Sequence, residues 1–81
     1  MAVNRRRMVA VRPLRLTTWK CGRVERAILE TIMGYLRRHP QAEWVPVEAI
    51  MAELRGRAKP SEVREAMRRL AKRRILEARY G

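Results

Sequence analysis

Between Gly22 and His39 apolar side chains return every three or four residues, and this stretch leaves the chain little choice of architecture. Val24, Ile28, Ile32, Tyr35 and Leu36 fall on one face of a helix over residues 22–39, with Ala27 and Leu29 on its flanks. Glu25, Leu29 and Met33 line an adjacent side, so the helix is more apolar than a surface helix requires. Arg37, Arg38 and His39 complement the helix dipole in the last turn, and Pro40 prevents continuation. At 81 residues the chain has room for one domain and one modest core, so everything else must pack on this helix. The apolar surplus at Leu29 and Met33 has two readings: core covered by an N-terminal strand, or the seam of a homodimer.

The remaining elements follow from punctuation. Residues 1–7, MAVNRRR, read as a basic N-terminal arm. Residues 8–16 show a strand-like period of two, Val9/Val11 then Leu14/Leu16, broken at Pro13. A proline cannot donate to a ladder, so a strand here is expected at an edge or in two short pieces. A short strand surrounds Trp44–Val45. Pro46 suits the first turn of a second helix over 46–55, with Glu48 as its N-terminal acid, Ile50, Met51 and Leu54 as its buried side and Gly56 as its stop. Lys59–Pro60–Ser61–Glu62 echoes Val45–Pro46–Val47–Glu48 and opens a third helix over 60–73, buried through Val63, Ala66, Met67 and Leu70. Residues 75–80 read as a terminal strand. The expected class is mostly α with a small antiparallel sheet, a single α+β domain over residues 8–81.

Charge then limits what such a domain does. Residues 1–20 carry six basic groups and no acid, residues 21–54 four basic and five acidic, and residues 55–81 ten basic and three acidic. The two ends are polycations around a nearly neutral middle, and the total is +12. Sorting positive charge concentrates potential on one surface, and the polyanion such a surface most commonly meets is nucleic acid. Of the twenty basic residues seventeen are arginine, whose planar fork suits phosphate and guanine edges, although a GC-rich genome gives the same skew without function. One cysteine, Cys21, forms no internal disulfide, and with one histidine, His39, it assembles no metal site. No aspartate is present and no glycine-rich phosphate loop appears, so no enzyme and no cofactor is expected. No apolar run approaches a membrane span. The arginine-rich start superficially suits an organelle transit peptide, but it lacks serine and Pro13 interrupts it. A cytoplasmic protein is the expectation, nucleoid-associated if it binds DNA. The scarcity of Asn and Gln points towards a thermophile; five methionines point away. In a chain without phenylalanine, Trp19 and Trp44 are expected as core or core-edge packing, with stacking on bases the other use.

Long helix, short strand, short helix, basic helix, then a strand beginning Arg73–Arg74–Ile75–Leu76: this order resembles the winged helix-turn-helix family of DNA-binding domains. The specific part runs from Val47-Glu-Ala-Ile-Met-Ala-Glu-Leu54, through a turn, to Pro60-Ser-Glu-Val-Arg-Glu-Ala-Met-Arg-Arg-Leu-Ala-Lys-Arg-Arg-Ile-Leu76. The resemblance covers residues from about 22 to 81 and is one of apolar spacing, not of exact residues. Two departures stand out. The connection from Leu54 to Pro60 exceeds the usual three or four residues, and the sequence stops where the wing's hairpin would turn, giving a truncated wing. Residues 8–16 are therefore expected to fold back as the third strand, with Arg5, Arg6 and Arg7 beside it making a wing's contacts.

The resemblance implies that helix 3 enters the major groove of double-stranded DNA. On that helix Ser61, Arg64, Glu65, Arg68 and Lys72 lie opposite the apolar side, with Glu62 and Arg69 on a flank. Ser61, Arg64 and Arg68 are the candidates for base contact. Arg69 and Lys72 complete the DNA-binding set, and Arg5, Arg6, Arg7, Arg55, Arg57, Lys59, Arg73 and Arg79 are candidate phosphate contacts. The bland reading is a solvated face with Glu62 and Glu65 paired to Arg68 and Arg69. The leading expectation is a small transcription regulator. The alternative is an RNA-binding ribosomal or other ribonucleoprotein component, since an acid-free arm suits folded RNA. A protein–protein adaptor in a transcription or replication assembly is the third reading.

Overall fold

A computed structural model of the chain describes residues 7–15 and 17–81. The elements run β1 (Met8–Pro13), α1 (Arg23–Arg38), β2 (Val45–Pro46), α2 (Val47–Glu53), α3 (Pro60–Lys72) and β3 (Leu76–Tyr80). The fold is a small α+β domain of three helices and a three-stranded antiparallel sheet ordered β2-β1-β3.

The N-terminal segment does return as a strand, but at the centre of the sheet. Val11 lies opposite Val45 on one side and Ala78 on the other. Pro13 is accommodated because it ends the strand opposite Leu76, and the next residue, Leu14, donates its N–H to Ile75 O at 2.8 Å. Alternation turns the Pro13 nitrogen towards β2, which stops short of it, so no ladder bond is lost. The period of two does not put Val9 and Leu14 on the buried face with Val11. A register irregularity between Met8 and Ala10 turns Met8 towards the core and leaves Val9 43% exposed, whereas Leu14, three residues past the buried Val11, falls on the opposite face and is 47% exposed.

Two helices start with the same device. Glu25, third residue of α1, accepts the Gly22 N–H at 2.7 Å, and Glu62, third residue of α3, accepts the Lys59 N–H at 2.9 Å. Each carboxylate satisfies a backbone donor that the helix start would otherwise orphan. The apparent echo at α2 is only partial. Pro60 is the first residue of α3, whereas Pro46 is extended (φ −63°, ψ 137°), closes β2 and precedes α2. Pairing with β1 takes up Pro46, so α2 begins one residue later than the spacing suggests and spans 7 residues. Gly56, at φ +84°, turns the chain after it.

The end of α3 is unusual. Arg74 N–H reaches Ala71 O at 3.1 Å and Ile75 N–H reaches Leu70 O at 3.0 Å, the paired bonds of a Schellman motif. Leu70 and Ile75 are fully buried and supply its apolar contact. The left-handed position between them, φ 62°, carries Arg74 where glycine is the unstrained residue.

The core draws on every element: Val11, Ile28, Ile32, Val45, Ile50, Leu54, Val63, Met67, Leu70, Ile75 and Leu76 are essentially inaccessible. The helix that packs chiefly on α1 is α3, with α2 and β2 beside it, so the cover expected from the N-terminal strand comes from helices instead. Leu29 is buried within the chain itself. Of the two tryptophans, Trp44 is half-buried on the outer face of the sheet, whereas Trp19, expected in or at the edge of the core, is 69% exposed.

Candidate nucleic-acid interface

α3 turns Val63, Ala66, Met67 and Leu70 inward, and Ser61, Arg64, Arg68 and Lys72 outward to solvent. The three- and four-residue spacing that makes the buried ridge necessarily makes the exposed one. Its N-terminal approach adds Arg55, Arg57 and Lys59, all exposed, from the six residues between α2 and α3. Among the described residues no carboxylate lies within ion-pair distance of Arg55, Arg57, Lys59, Arg64 or Lys72. Arg68 shares Glu65 at 3.4 Å, both side chains about three-fifths exposed. Glu62 is spent on the helix start and pairs with neither Arg68 nor Arg69.

Three of the expected contact residues are engaged elsewhere. Arg69 leans back onto α1, its Nε 3.2 Å from Glu25 Oε2, and the Glu25 side chain is only 8% exposed. That carboxylate thus serves a helix start and an ion pair at once, so removing Arg69 from it leaves a buried charge unpaired. Arg73 turns its guanidinium onto the segment preceding α1. Nη2 donates to Trp19 O at 2.7 Å and Nη1 to Lys20 O at 3.3 Å, with Cys21 Sγ at 3.6 Å. It braces that segment. Arg79 lies on the outer face of the sheet, 4.3 Å over the Trp44 ring, with Arg12 at 4.8 Å over the same ring and paired to Glu77 at 2.7 Å. The side-chain alternation that turns Leu76 and Ala78 towards α3 turns Arg79 away from it.

Arg7 is where the arm meets the fold. Its N–H donates to Gly81 O at 3.2 Å and its carbonyl accepts from Gly81 N–H at 2.9 Å, so the β1–β3 pairing runs to the last residue. Arg5 and Arg6 lie outside the described residues. Arg7 and Tyr80 stand across an open groove of about 960 Å³ from Arg55, Arg64 and Arg68, with Met51 and Met67 in its lining and Glu48 as its single acid. Four arginines therefore converge on one concavity beside the exposed face of α3.

The sequence reading missed Glu25 and the Trp19 corner. The first had a signal, a glutamate three residues after a non-helical Gly22, which is the spacing of a helix-start carboxylate. The second had none, because nothing local distinguishes a tryptophan that packs from one held in water. Among the described residues no group of three His, Cys, Asp or Glu side chains gathers as for a metal, and no helix is long and apolar enough to cross a membrane. Comparison of the chain with family models, with curated proteins and with solved structures finds no match.

Proposed function

We propose that this chain is a non-catalytic nucleic-acid-binding protein, a small transcription regulator that lays α3 in the major groove of duplex DNA. One observation carries the reading: Arg64, Arg68 and Lys72 form an exposed ridge continuous with Arg55, Arg57 and Lys59, offset by Glu65 and by Glu62 at the helix start. A 13-residue helix is about 20 Å long and fits the B-form major groove, roughly 12 Å wide. The deep, narrow major groove of A-form RNA does not admit it. A winged-helix arrangement is part of the proposal. Its support is that β1 pairs antiparallel with both β2 and β3, the position a returning wing strand would take, and brings Arg7 to the end of the sheet.

A ribonucleoprotein role is the second reading, favoured by the exposure of Trp19, since unpaired RNA bases stack on aromatic planes. The deciding experiment is fluorescence anisotropy with a 20-base-pair duplex and a structured RNA of equal charge. For the duplex, R64E/R68E is expected to lower affinity by about 100-fold with the circular dichroism spectrum unchanged. Unchanged affinity of that variant overturns the placement of α3, and tighter binding of the RNA by the unsubstituted protein transfers the function to RNA.

A further inference from the structure

The segment between β1 and α1 holds an indole out in water. Trp19 is 69% exposed, yet its surroundings are built. Arg73 donates to the carbonyls of Trp19 and Lys20, the Trp19 N–H donates to Thr17 Oγ1 at 3.1 Å, and the Cys21 N–H donates to Thr18 O at 3.0 Å. Lys20 adopts φ 57°, a conformation side chains other than glycine disfavour, and its ammonium stands 4.7 Å over the Trp19 ring. Arg74, at φ 62°, follows Arg73 directly, and Arg15 donates to Arg73 O at 2.9 Å. Two left-handed positions at one corner thus carry cations where glycine would sit without strain. No carboxylate precedes Glu25 in the sequence, and Glu25 is buried and already paired.

We propose that this corner binds an unpaired nucleobase stacked on Trp19, with the adjoining phosphates held by Lys20, Arg15 and Arg74. Size and charge select that occupant. Among the described residues the other exposed large apolar side chains besides Leu14 are Val9 and Tyr80, at the opposite end of the β1–β3 ladder. The described apolar area at this corner is therefore one ring plane and the Leu14 side chain, far below the about 800 Å² per partner of a stable protein interface. One face of an indole matches one base, every base offers a π-face, and the surrounding cations match a sugar-phosphate backbone. The site lies off the C-terminal end of α3, so a duplex lying along that helix can present a frayed, gapped or looped-out base to Trp19. The inference rests on the reading of the chain as a nucleic-acid binder but not on α3 occupying the major groove.

The test uses a labelled ten-residue oligothymidylate, a blunt 20-base-pair duplex and phosphatidylglycerol vesicles. In the W44F protein Trp19 is the sole indole, and its emission should be quenched by the oligothymidylate and not by the vesicles. Without relying on that variant, W19A should weaken oligothymidylate binding by about 10-fold, W19F should recover most of it, and both should bind the blunt duplex within twofold of the parent protein. Equal oligothymidylate affinity for W19A and parent, or no binding by either, overturns the proposal. Quenching by vesicles as strong as by the oligonucleotide assigns the corner to a lipid surface and overturns it too. Should R64E/R68E keep the blunt-duplex affinity while W19A loses the oligothymidylate, the major-groove reading falls and the corner stands.

Discussion

Glu25 concentrates more of the fold than its one negative charge suggests. Its two oxygens serve the Gly22 N–H and the Arg69 guanidinium, tying the start of α1 to the outer flank of α3 at a site 6% exposed. Replacing it by alanine removes a helix-start bond and a charge-assisted one, and E25A is expected to lower stability by about 2 kcal/mol in urea unfolding. R69A should cost about as much, because it leaves the buried carboxylate with only the Gly22 N–H. The double substitution should be clearly less costly than the sum, and strict additivity would show that the two side chains do not act together. Arg74 makes the opposite prediction. Its left-handed φ is available to glycine without a Cβ penalty, so R74G is expected to raise stability by about 1 kcal/mol, several degrees in Tm for a domain of this size. A neutral or destabilising R74G would mean that the arginine side chain itself braces the end of α3.

The element that joins the two ends of the chain is β1. It is flanked by β2 and β3, fully buries Val11, and continues through Leu14 into Ile75. Its amides should therefore exchange as slowly as those of α1 and α3; fast exchange of the Leu14 N–H would remove β1 from the folded unit. What the sequence made legible at this scale were the helices, because α1 and α3 repeat apolar residues at 3.6-residue spacing over 16 and 13 residues. The Val63, Ala66, Met67, Leu70 ridge was readable from spacing alone. The central position of β1 was not, because Pro13 argues for an edge until it is known that β2 is two residues long and stops short of it. The α2 boundary was blurred for a related reason. Pro46 is compatible with both a strand end and a helix start, and only its pairing with Ala10 decides. In the candidate interface, spacing correctly turned Ser61, Arg64, Arg68 and Lys72 outward. It could not foresee that Arg69, Arg73 and Arg79 find partners 44, 54 and 35 residues away in sequence, at Glu25, Trp19 and Trp44.

Those long-range pairings set how much of the net charge of +12 a nucleic acid can feel. A surface that engaged every cation suggested by the sequence, from Arg5 to Arg79, would neutralise about twelve phosphates, giving a slope of log affinity against log salt near −11 on duplex DNA. With Arg69 on Glu25, Arg73 on the Trp19 segment and Arg79 on Trp44, the set reduces to Arg5, Arg6, Arg7, Arg55, Arg57, Lys59, Arg64, Arg68 and Lys72. Nine contacts predict a slope of about −8. Titrations of a blunt duplex between about 50 and 200 mM salt separate the two cases, and a slope near −11 would show that the diverted arginines are released on binding. The same logic fixes the sign for Glu65. It is the one carboxylate on the ridge and holds Arg68 at 3.4 Å across an exposed pair. Because that pair contributes little to stability, E65Q should leave the unfolding midpoint nearly unchanged while tightening duplex binding severalfold and steepening the salt slope. Loss of affinity on E65Q would mean that Glu65 orients Arg68 for its contact, and that the ion pair is part of the binding surface and not a brake on it.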